Sequence, residues 1–563
     1  AWDRRPDPPR RVHQAMELSM TEHTASETDV PVLIAGGSLV GMTMAVLLGH
    51  RGIPTIVAER HRGTAIHPRA AFILQRSMEV LRSVGIEDAV MERSAEQFDQ
   101  DAAIMAVVTM AGEEIAWYLP KLNDGVRDLS PSIRLLASQI AIEPLLEQRA
   151  RELGADVRFG TEVVGFEQDG DGVTVRLRDR DGGAESSVRA RYLIAADGAH
   201  SPIRERLGIG ESGRGTFSKS VTIYFRADVE PLLRGRSLGV VMVVNDTLQG
   251  FFRIEKPYQS GFLAVHGLGD PAAPNSDVWT GLTEERCIEL VRAGLGVPDI
   301  PVAIDDVMEW QASADVADRY QEGRVILVGD SAHVMPPYGG YGGNTGIQDA
   351  QNLAWKLAAV LRGEADPGLL ATYEAERRPV GRFTVEQAFA RYVARAAPSL
   401  RDDTIEPTVS DTNIDLGYRY RSSAIVEEPG QEFQVQGDPR ESGGLPGTRA
   451  PHQEVRLDGR TISILDLFGL RPVLLAASEG GAWADAARAA AQRLGVPLDA
   501  YVVGADLAED GGFAERYGLT ASGAVLVRPD GVVAWRGRTE DPAAERIVAD
   551  ALGAVFGRSA PGA

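Results

Sequence analysis

Apolar and polar positions along the chain follow three rhythms, and each marks a region. Short, continuous apolar runs come first. Residues 32–35, Val-Leu-Ile-Ala, have no polar member, the pattern of a strand covered on both faces. The turn Gly36-Gly37-Ser38-Leu39-Val40-Gly41 follows, and residues 42–48 have the length and composition of a helix. After the breakers Gly52 and Pro54, a second strand over 55–58 ends on Glu59. The pattern predicts an amphipathic helix around 77–83 and a longer one over 138–153, with Gln139 in its first turn and Gly154 at its end. Residues 157–159, 163–166 and 173–177 read as meander strands, and 192–196 as another buried strand.

The second rhythm is alternation. Val221-Thr222-Ile223-Tyr224-Phe225-Arg226 alternates, and runs at 240–244, 251–254 and 262–265 follow with turns between. Residues 205–310 therefore predict an antiparallel sheet with one apolar face, packed over the nucleotide domain and joined by strand-like residues within 98–135. A buried-type strand returns at 324–328 and closes on Gly329-Asp330. Glycines and prolines crowd 333–346, which predicts irregular backbone to about Thr345, with a strong helix over 347–361 and helical character over 369–397. In the third rhythm a polar stretch, 401–445, reads as a linker. Strand and helix then alternate over 446–563 as a separate small α/β domain. The division expected is thus 30–204 with 311–400, a discontinuous nucleotide domain, around a 205–310 sheet domain. Residues 1–29 lack an apolar core and read as a disordered segment rather than a signal peptide, with Met16 or Met20 as candidate starts.

Charge narrows the partners. A net charge of −22 and a pI near 5.0 argue against nucleic acid or an anionic membrane. No apolar run approaches the roughly 20 residues that span a bilayer. The single cysteine, Cys287, excludes intrachain disulfides and cysteine-based metal sites and suits a cytoplasmic protein, monomeric or homodimeric.

Strand, glycine turn, helix, strand and terminal acid together make a dinucleotide-binding unit. The glycines bring bare N–H groups and a positive helix end against a pyrophosphate. Glu59 accepts from an adenosine ribose and repels a 2′-phosphate, so FAD or NAD fits better than NADP. Ser38 stands where the motif wants glycine, and its hydroxyl is a candidate phosphate donor. Asp197 and Asp330 each follow an apolar strand, where ligands sit in α/β sheets. The sequence shows no second glycine-rich nucleotide fold, no Ser/His/Asp triad and no metal-ligand set, so the chemistry belongs to the cofactor, and no catalytic side chain is assigned.

Three separated motifs carry a resemblance: the glycine turn with Glu59; Asp197-Gly198…Ser201…Arg204; and Gly329-Asp330-Ser331-Ala332-His333, continuing through Asn344, Asp349 and Trp355. Together with Tyr373…Glu376-Arg377-Arg378-Pro379 they resemble the class A flavoprotein monooxygenases, the para-hydroxybenzoate hydroxylase family, over about residues 30 to 395. The Gly-Gly-Ser-Leu-Val-Gly variant is similar to the aromatic polyketide hydroxylase branch. The C-terminal region resembles the thioredoxin-like extension of the larger members, without a Cys-x-x-Cys pair. The resemblance implies an α/β fold: a Rossmann-type three-layer FAD-binding domain, an antiparallel substrate sheet and a thioredoxin-like domain.

It also implies roles. Gly36, Ser38, Leu39, Val40, Gly41, Glu59 and Arg60 would hold the ADP moiety. Arg69 and Gln139 would contact FAD, and Asp330 its ribityl or ribose region. Pro337, Gly340, Gly342, Gly343 and Asn344 would lie near the flavin ring. Asp197 and Arg204 belong to the segment linked to both FAD and NADPH. His333 is read as packing locally. FAD is expected non-covalently, with NADPH or NADH as electron source and O2 as oxidant; a flavin C4a-hydroperoxide would then hydroxylate a phenolic ring. The helix N-terminus near Gly343 offers positive potential worth about 0.3–1 kcal/mol, enough to favour an anionic reduced flavin. Tyr224, Arg226, Phe252 and Trp310 are pocket candidates. Candidate cations are few, Arg226 and Arg253 being the obvious ones in the strands, which favours a bulky apolar polycycle over a small charged benzoate. Baeyer–Villiger oxygenation, oxidase activity and antibiotic modification are the alternatives.

Overall fold

A computed structural model describes residues 28–66, 72–272 and 274–558 of the protein. Two eight-stranded sheets, a four-stranded one and the two-stranded pair Glu454–Leu457 and Arg460–Ser463 carry the described residues. In the first sheet the order runs Gln321–Glu322, Val325–Leu327, Glu185–Ala195, Thr28–Ala35, Thr55–Glu59, Asp156–Phe159, and the last five pair in parallel. Leu33 stands beside Ile56 on one side and Leu193 on the other, all buried. That explains the continuous apolar runs: helices cover both faces, so no position is left polar. Thr161–Gln168 and Val173–Asp179 extend the sheet antiparallel from Glu185–Ala195. The C-terminal ends of three parallel neighbours, Ala35, Glu59 and Ala195, share one edge, with Leu327 beside Ala195.

The helices Leu39–His50 and Tyr341–Leu361 pack together over this edge. Their approach is set by glycine. A Cβ on Gly346 would stand 2.4 Å from Val40 Cγ2, and one on Gly329 3.0 Å from it. The long helix begins at Tyr341, not near Ile347 as its glycines suggest. Gly342 and Gly343 are helical because neighbours fix the turn. Asn344 Nδ2 donates to the Phe72 and Gly340 carbonyls, and Tyr341 Oη donates to Asp411 Oδ1 at 2.5 Å.

The second sheet is ordered His333–Val334, Ala303–Ala317, Glu211–Arg226, Ser260–Leu268, Leu248–Glu255, Leu238–Val244, Ala103–Val107, Glu114–Leu119. Strands from 103–119 do join it, and Ala303–Ala317 runs on past residue 310 into the first domain. The helix Glu284–Leu295 covers one face, burying Cys287 with Phe225 and Phe252. The other face turns toward the first domain.

Residues 401–445 are not a free linker. They form the helix Asp411–Leu416 and bury Ile414, Tyr418 and Tyr420. The buried Asp415 carboxylate accepts from the Gln75 and Arg76 N–H groups. The polar average of the stretch hides these anchors. Beyond it, the third sheet is ordered Asp499–Val502, Val473–Ala476, Ala524–Val527, Val533–Gly537, flanked by helices Gly481–Leu494 and Ala544–Val555. Its turn at Arg528–Gly531 enters the first domain. There Arg528 pairs with Glu376 at 2.6 Å and with Asp530 at 2.5 Å, and Lys356 pairs with Glu376 at 2.8 Å. Among the described residues no helix is long and apolar enough to cross a membrane.

Candidate functional site

At the shared strand edge the backbone, rather than side chains, builds the first part of the site. Gly36 has φ +101°, and a Cβ there would lie 2.2 Å from the Ala196 carbonyl oxygen. A Cβ on Gly41 would lie 1.9 Å from the Gly36 oxygen. Only glycine fits either position, and the cradle left between them exposes backbone N–H groups at the start of the helix Leu39–His50. Leu39 is buried in the core and Val40 packs against Gly329 and Gly346, so both side chains are spent on packing. Glu59 is buried. Its Oε2 accepts from Gly37 N at 2.6 Å and its Oε1 from His61 N at 2.7 Å. The acid fixes the glycine turn as well as ending the strand beside it. Arg60 is exposed, and Arg69 lies outside the described residues.

Ser38 differs from its expected role. Its hydroxyl donates to Glu143 Oε1 at 2.5 Å and accepts from Gln139 Nε2 at 2.7 Å. The hydroxyl proton is therefore committed to a carboxylate and is not free for a phosphate oxygen. Glu143, 1 % exposed, was missed by sequence reasoning. Its other oxygen accepts from Ala65 N, tying the chain after Glu59 to the helix Gln139–Glu152. The i, i+4 spacing of Gln139 and Glu143 was the available signal.

Asp197 supports the start of the short helix Pro202–Arg206, whose N-cap Ser201 accepts from Arg204 N. Asp197 accepts from Ser201 Oγ at 2.6 Å and from Ile203 N at 3.2 Å, and burial pushes its carboxyl up against these bonds. Arg204 is buried and donates to the Ser331 and Ala199 carbonyls and to Glu211. Its guanidinium thus joins the Asp197 segment to the turn carrying Asp330. In this arrangement it holds structure and does not project into open space.

Asp330 sits exposed in the turn Gly329–Ser331, and Pro337 and Gly340 lie beside it on the wall of a cavity of about 510 Å³. The helix Tyr341–Leu361 points its N-terminus here, and its first turn, including Gly342 and Gly343, holds no acid. Asn344 is buried, its side chain spent on residues 72–74 and Gly340. Behind the helix, His333 and Arg377 clamp the Asp349 carboxylate, each at 2.7 Å. Burial would raise that carboxyl, but Arg377 and His333 outweigh it and hold it low. His333 is fully buried, the local packing role expected of it.

The substrate sheet supplies the rest of the cavity wall. Tyr224 and Trp310 line it, with Phe251 and Phe262. Tyr224 and Phe262 meet edge to face at 5.8 Å, as do Phe251 and Phe262 at 6.0 Å. Trp310 Nε1 donates to Thr222 Oγ1 at 3.0 Å, which leaves its ring face apolar. Two candidates are corrected. Phe252 points to the opposite face, fully buried against Phe225 and the helix Glu284–Leu295. Arg226 is at the exposed end of its strand and pairs with Asp305 at 2.8 Å, outside the cavity. Tyr118, Arg134, Tyr338 and Arg395 line the cavity without having been singled out. Arg253 lines it too, and is 2 % exposed.

Comparison with known proteins agrees with this geometry. An FAD binding domain family matches residues 29–388, and the aromatic-ring hydroxylase C-terminal family matches 443–559. The 4-methyl-5-nitrocatechol 5-monooxygenase of a Burkholderia species is 52% identical over 95% of this chain and 99% of its own. The tetracenomycin B2 monooxygenase-dioxygenase of Streptomyces olivaceus is 40% identical over 94% and 99%. The crystal structure of aklavinone-11 hydroxylase with FAD and aklavinone superposes with a TM-score of 0.89 at 36% identity, covering 95% of this chain and all of that one. The glycine cradle and Glu59 fit the FAD that the family binds, and the chain belongs to the FAD-dependent aromatic-ring monooxygenases, in the branch that contains the polyketide hydroxylases.

Proposed function

We propose that this FAD-dependent monooxygenase hydroxylates a phenolic aromatic substrate of fused-ring size, taking electrons from NADPH or NADH and oxygen from O2. The observation that carries the reading is one continuous cavity. Its inner wall is the aromatic surface of Tyr224, Phe251, Phe262 and Trp310, and its other end is the Asp330–Gly340 loop. About 510 Å³ is within the range of sites that enclose drug-sized ligands. Substrates named for relatives, a nitrocatechol and the polycyclic tetracenomycin B2 and aklavinone, support an oxygenated aromatic ring as the shared chemistry.

The backbone N–H groups at the start of the helix Leu39–His50 would hold the pyrophosphate, with Gly36 and Gly41 keeping the turn tight enough for its approach, Glu59 the adenosine ribose, and Asp330 the ribityl or ribose hydroxyls. When bound, the flavin supplies two-electron reduction and oxygen transfer. The chain does the rest. The apolar wall keeps water from the ring and orients it. The unpaired N–H groups of the first turn of Tyr341–Leu361 favour negative charge beside the loop by about 0.3–1 kcal/mol. The Asp197–Arg204 segment, at the same strand edge, would be the region that meets NADPH. Turnover under ¹⁸O₂ of a panel of fused-ring phenols and nitrocatechols tests this. One ¹⁸O in a new ring hydroxyl is expected. Label in a ring ester or lactone, or unlabelled product with stoichiometric peroxide, overturns hydroxylation.

A further inference from the structure

Residues 120–138, between the edge strand Glu114–Leu119 and the helix Gln139–Glu152, hold no helix or strand. They nevertheless supply part of the cavity wall. Leu135 makes a single bridge with Ile73, the two N–H groups donating to the opposite carbonyls at 2.9 and 2.8 Å. Both residues are buried, and their neighbours, Phe72 on one side and Arg134 and Leu136 on the other, line the cavity. Side chains place the rest of the stretch. Gln75 Nε2 donates to the Val126 and Ser132 carbonyls at 2.8 and 3.1 Å. Ser130 Oγ donates to Glu79 Oε1 at 2.6 Å.

The C-terminal domain adds a tether of its own. Arg449 lies within the match to the aromatic-ring hydroxylase C-terminal family, and a bridge to Val532 fixes its backbone there. Its guanidinium reaches into the first domain. Nε donates to Glu79 Oε2 at 3.0 Å, and Nη2 donates to Glu79 Oε1 and, at 2.8 Å, to the Leu129 carbonyl. Glu79 also accepts from Arg76 at 2.7 Å, and Arg449, Glu79, Ser130 and Arg76 are all buried. The segment before the domain adds a second tie: Asp415 accepts from the N–H of Gln75, the residue that holds Val126 and Ser132. A buried ion pair is weak ground for stability, because desolvation offsets its attraction. What the planar fork supplies is geometry. It binds a carboxylate and a carbonyl at once, so the place of Leu129 is tied to that of the helix Gln75–Ser83.

We propose that the C-terminal domain sets the width of the substrate cavity, with Arg449 as the positioning residue that clamps residues 126–136 against the helix Gln75–Ser83. This deepens the hydroxylase reading and rests on it for the aromatic nature of the ligand. Arg449 does not line the cavity; it acts through Leu129 and Ser130 on the wall that carries Arg134 and Leu136. A single ring needs only the aromatic face of the sheet, whereas a fused-ring phenol also needs this second wall in place.

The test uses the full chain loaded with FAD. Arg449→Lys keeps the charge and loses the fork; Ser130→Ala removes one donor to Glu79 and leaves both cations. Amide hydrogen exchange in 126–136 should rise about tenfold in Arg449→Lys and about threefold in Ser130→Ala, with residues 221–226 unchanged. Binding of catechol and of 2,3-dihydroxynaphthalene to the oxidised enzyme, followed by flavin absorbance, requires no turnover. Wild type should bind the naphthalene diol about ten or more times tighter, and Arg449→Lys should reduce that preference about three- to tenfold while catechol affinity stays within about twofold. Equal losses on both phenols, an unchanged preference, or unchanged exchange in both variants overturns the proposal. So does faster exchange throughout the chain, the mark of a purely stabilising role. If Arg449→Lys fails to retain FAD, Ser130→Ala decides alone. A wild type that binds neither phenol overturns the fused-ring reading, and exchange at 126–136 then decides the clamp.

Discussion

Replacing Arg528 by methionine should loosen the C-terminal domain from the flavin domain. Arg528 is fully buried and donates to both oxygens of Glu376, at 2.6 and 2.9 Å, and to both of Asp530, at 3.1 and 2.5 Å. With Lys356 these residues form a group of two cations and two anions, closed off from solvent. Methionine keeps most of the volume, so cavity formation adds little, but two carboxylates then face one ammonium. Removing one member of a buried ion pair costs about 3–5 kcal/mol. At 1.4 kcal/mol per decade that is roughly two to three and a half decades in the docking equilibrium. Cleavage within 401–445 under limiting protease reads the open population when reclosing is fast, so its rate should rise by a comparable factor. The double variant Glu376→Gln/Arg528→Met leaves one anion and one cation and should recover part of the loss. A cleavage rate within threefold of wild type, or a double variant worse than the sum of the singles, would refute the charge-balance reasoning.

Two further outcomes follow from the same coordinates. Gly41→Ala puts a methyl carbon 1.9 Å from the Gly36 carbonyl oxygen, so the purified variant should be folded by circular dichroism yet carry less than a tenth of the wild-type flavin; a normal flavin-to-protein ratio would exclude the cradle. Acid should weaken the protein. Burial opposes ionisation of Glu79, but Arg449 and Arg76 outweigh it and bring its carboxyl down to about 2; Glu376 is held low in the same way by Arg528 and Lys356. Folded values below the ordinary 4.5 mean that this stability is present above pH 4.5 and is lost as pH falls from there toward 2. Urea midpoints measured from pH 6 to 3 should fall most steeply below 4.5, and a flat profile would contradict the assignment.

Much of the first domain was legible because burial on both faces removes ambiguity. A run such as Val32–Ala35 admits one reading once a glycine turn and a second run follow it. The start of the helix Tyr341–Leu361 was not legible, since each glycine disfavours helix by up to about 1 kcal/mol relative to alanine. What overrides that is tertiary: the Asn344 amide bound to Phe72, Tyr341 bound to Asp411, and Val40 seated against Gly346. Segment 401–445 misleads in the same manner. Its few buried anchors are dilute in a polar stretch, and their partners, Gln75 and Arg76, lie more than three hundred residues away.

The substrate wall failed for a different reason, which concerns register. Alternation names the two faces of a strand but not which one meets the cavity, and here both faces of the central strands are covered. Phe251 and Phe252 are equally apolar, so only the position of the helix Glu284–Leu295 assigns Phe252 to the far core and Phe251 to the ligand. Tyr224 and Arg226 share a face, yet the cavity ends before Arg226, which reaches solvent and Asp305. Arg253 is the opposite case. A charged residue two from a strand's end ordinarily marks the solvent side, but here the side chain is buried at the cavity wall with its guanidinium over the Phe98 ring. Strand patterning therefore misleads where the neighbours across the sheet, and not the strand's own alternation, decide what covers each face.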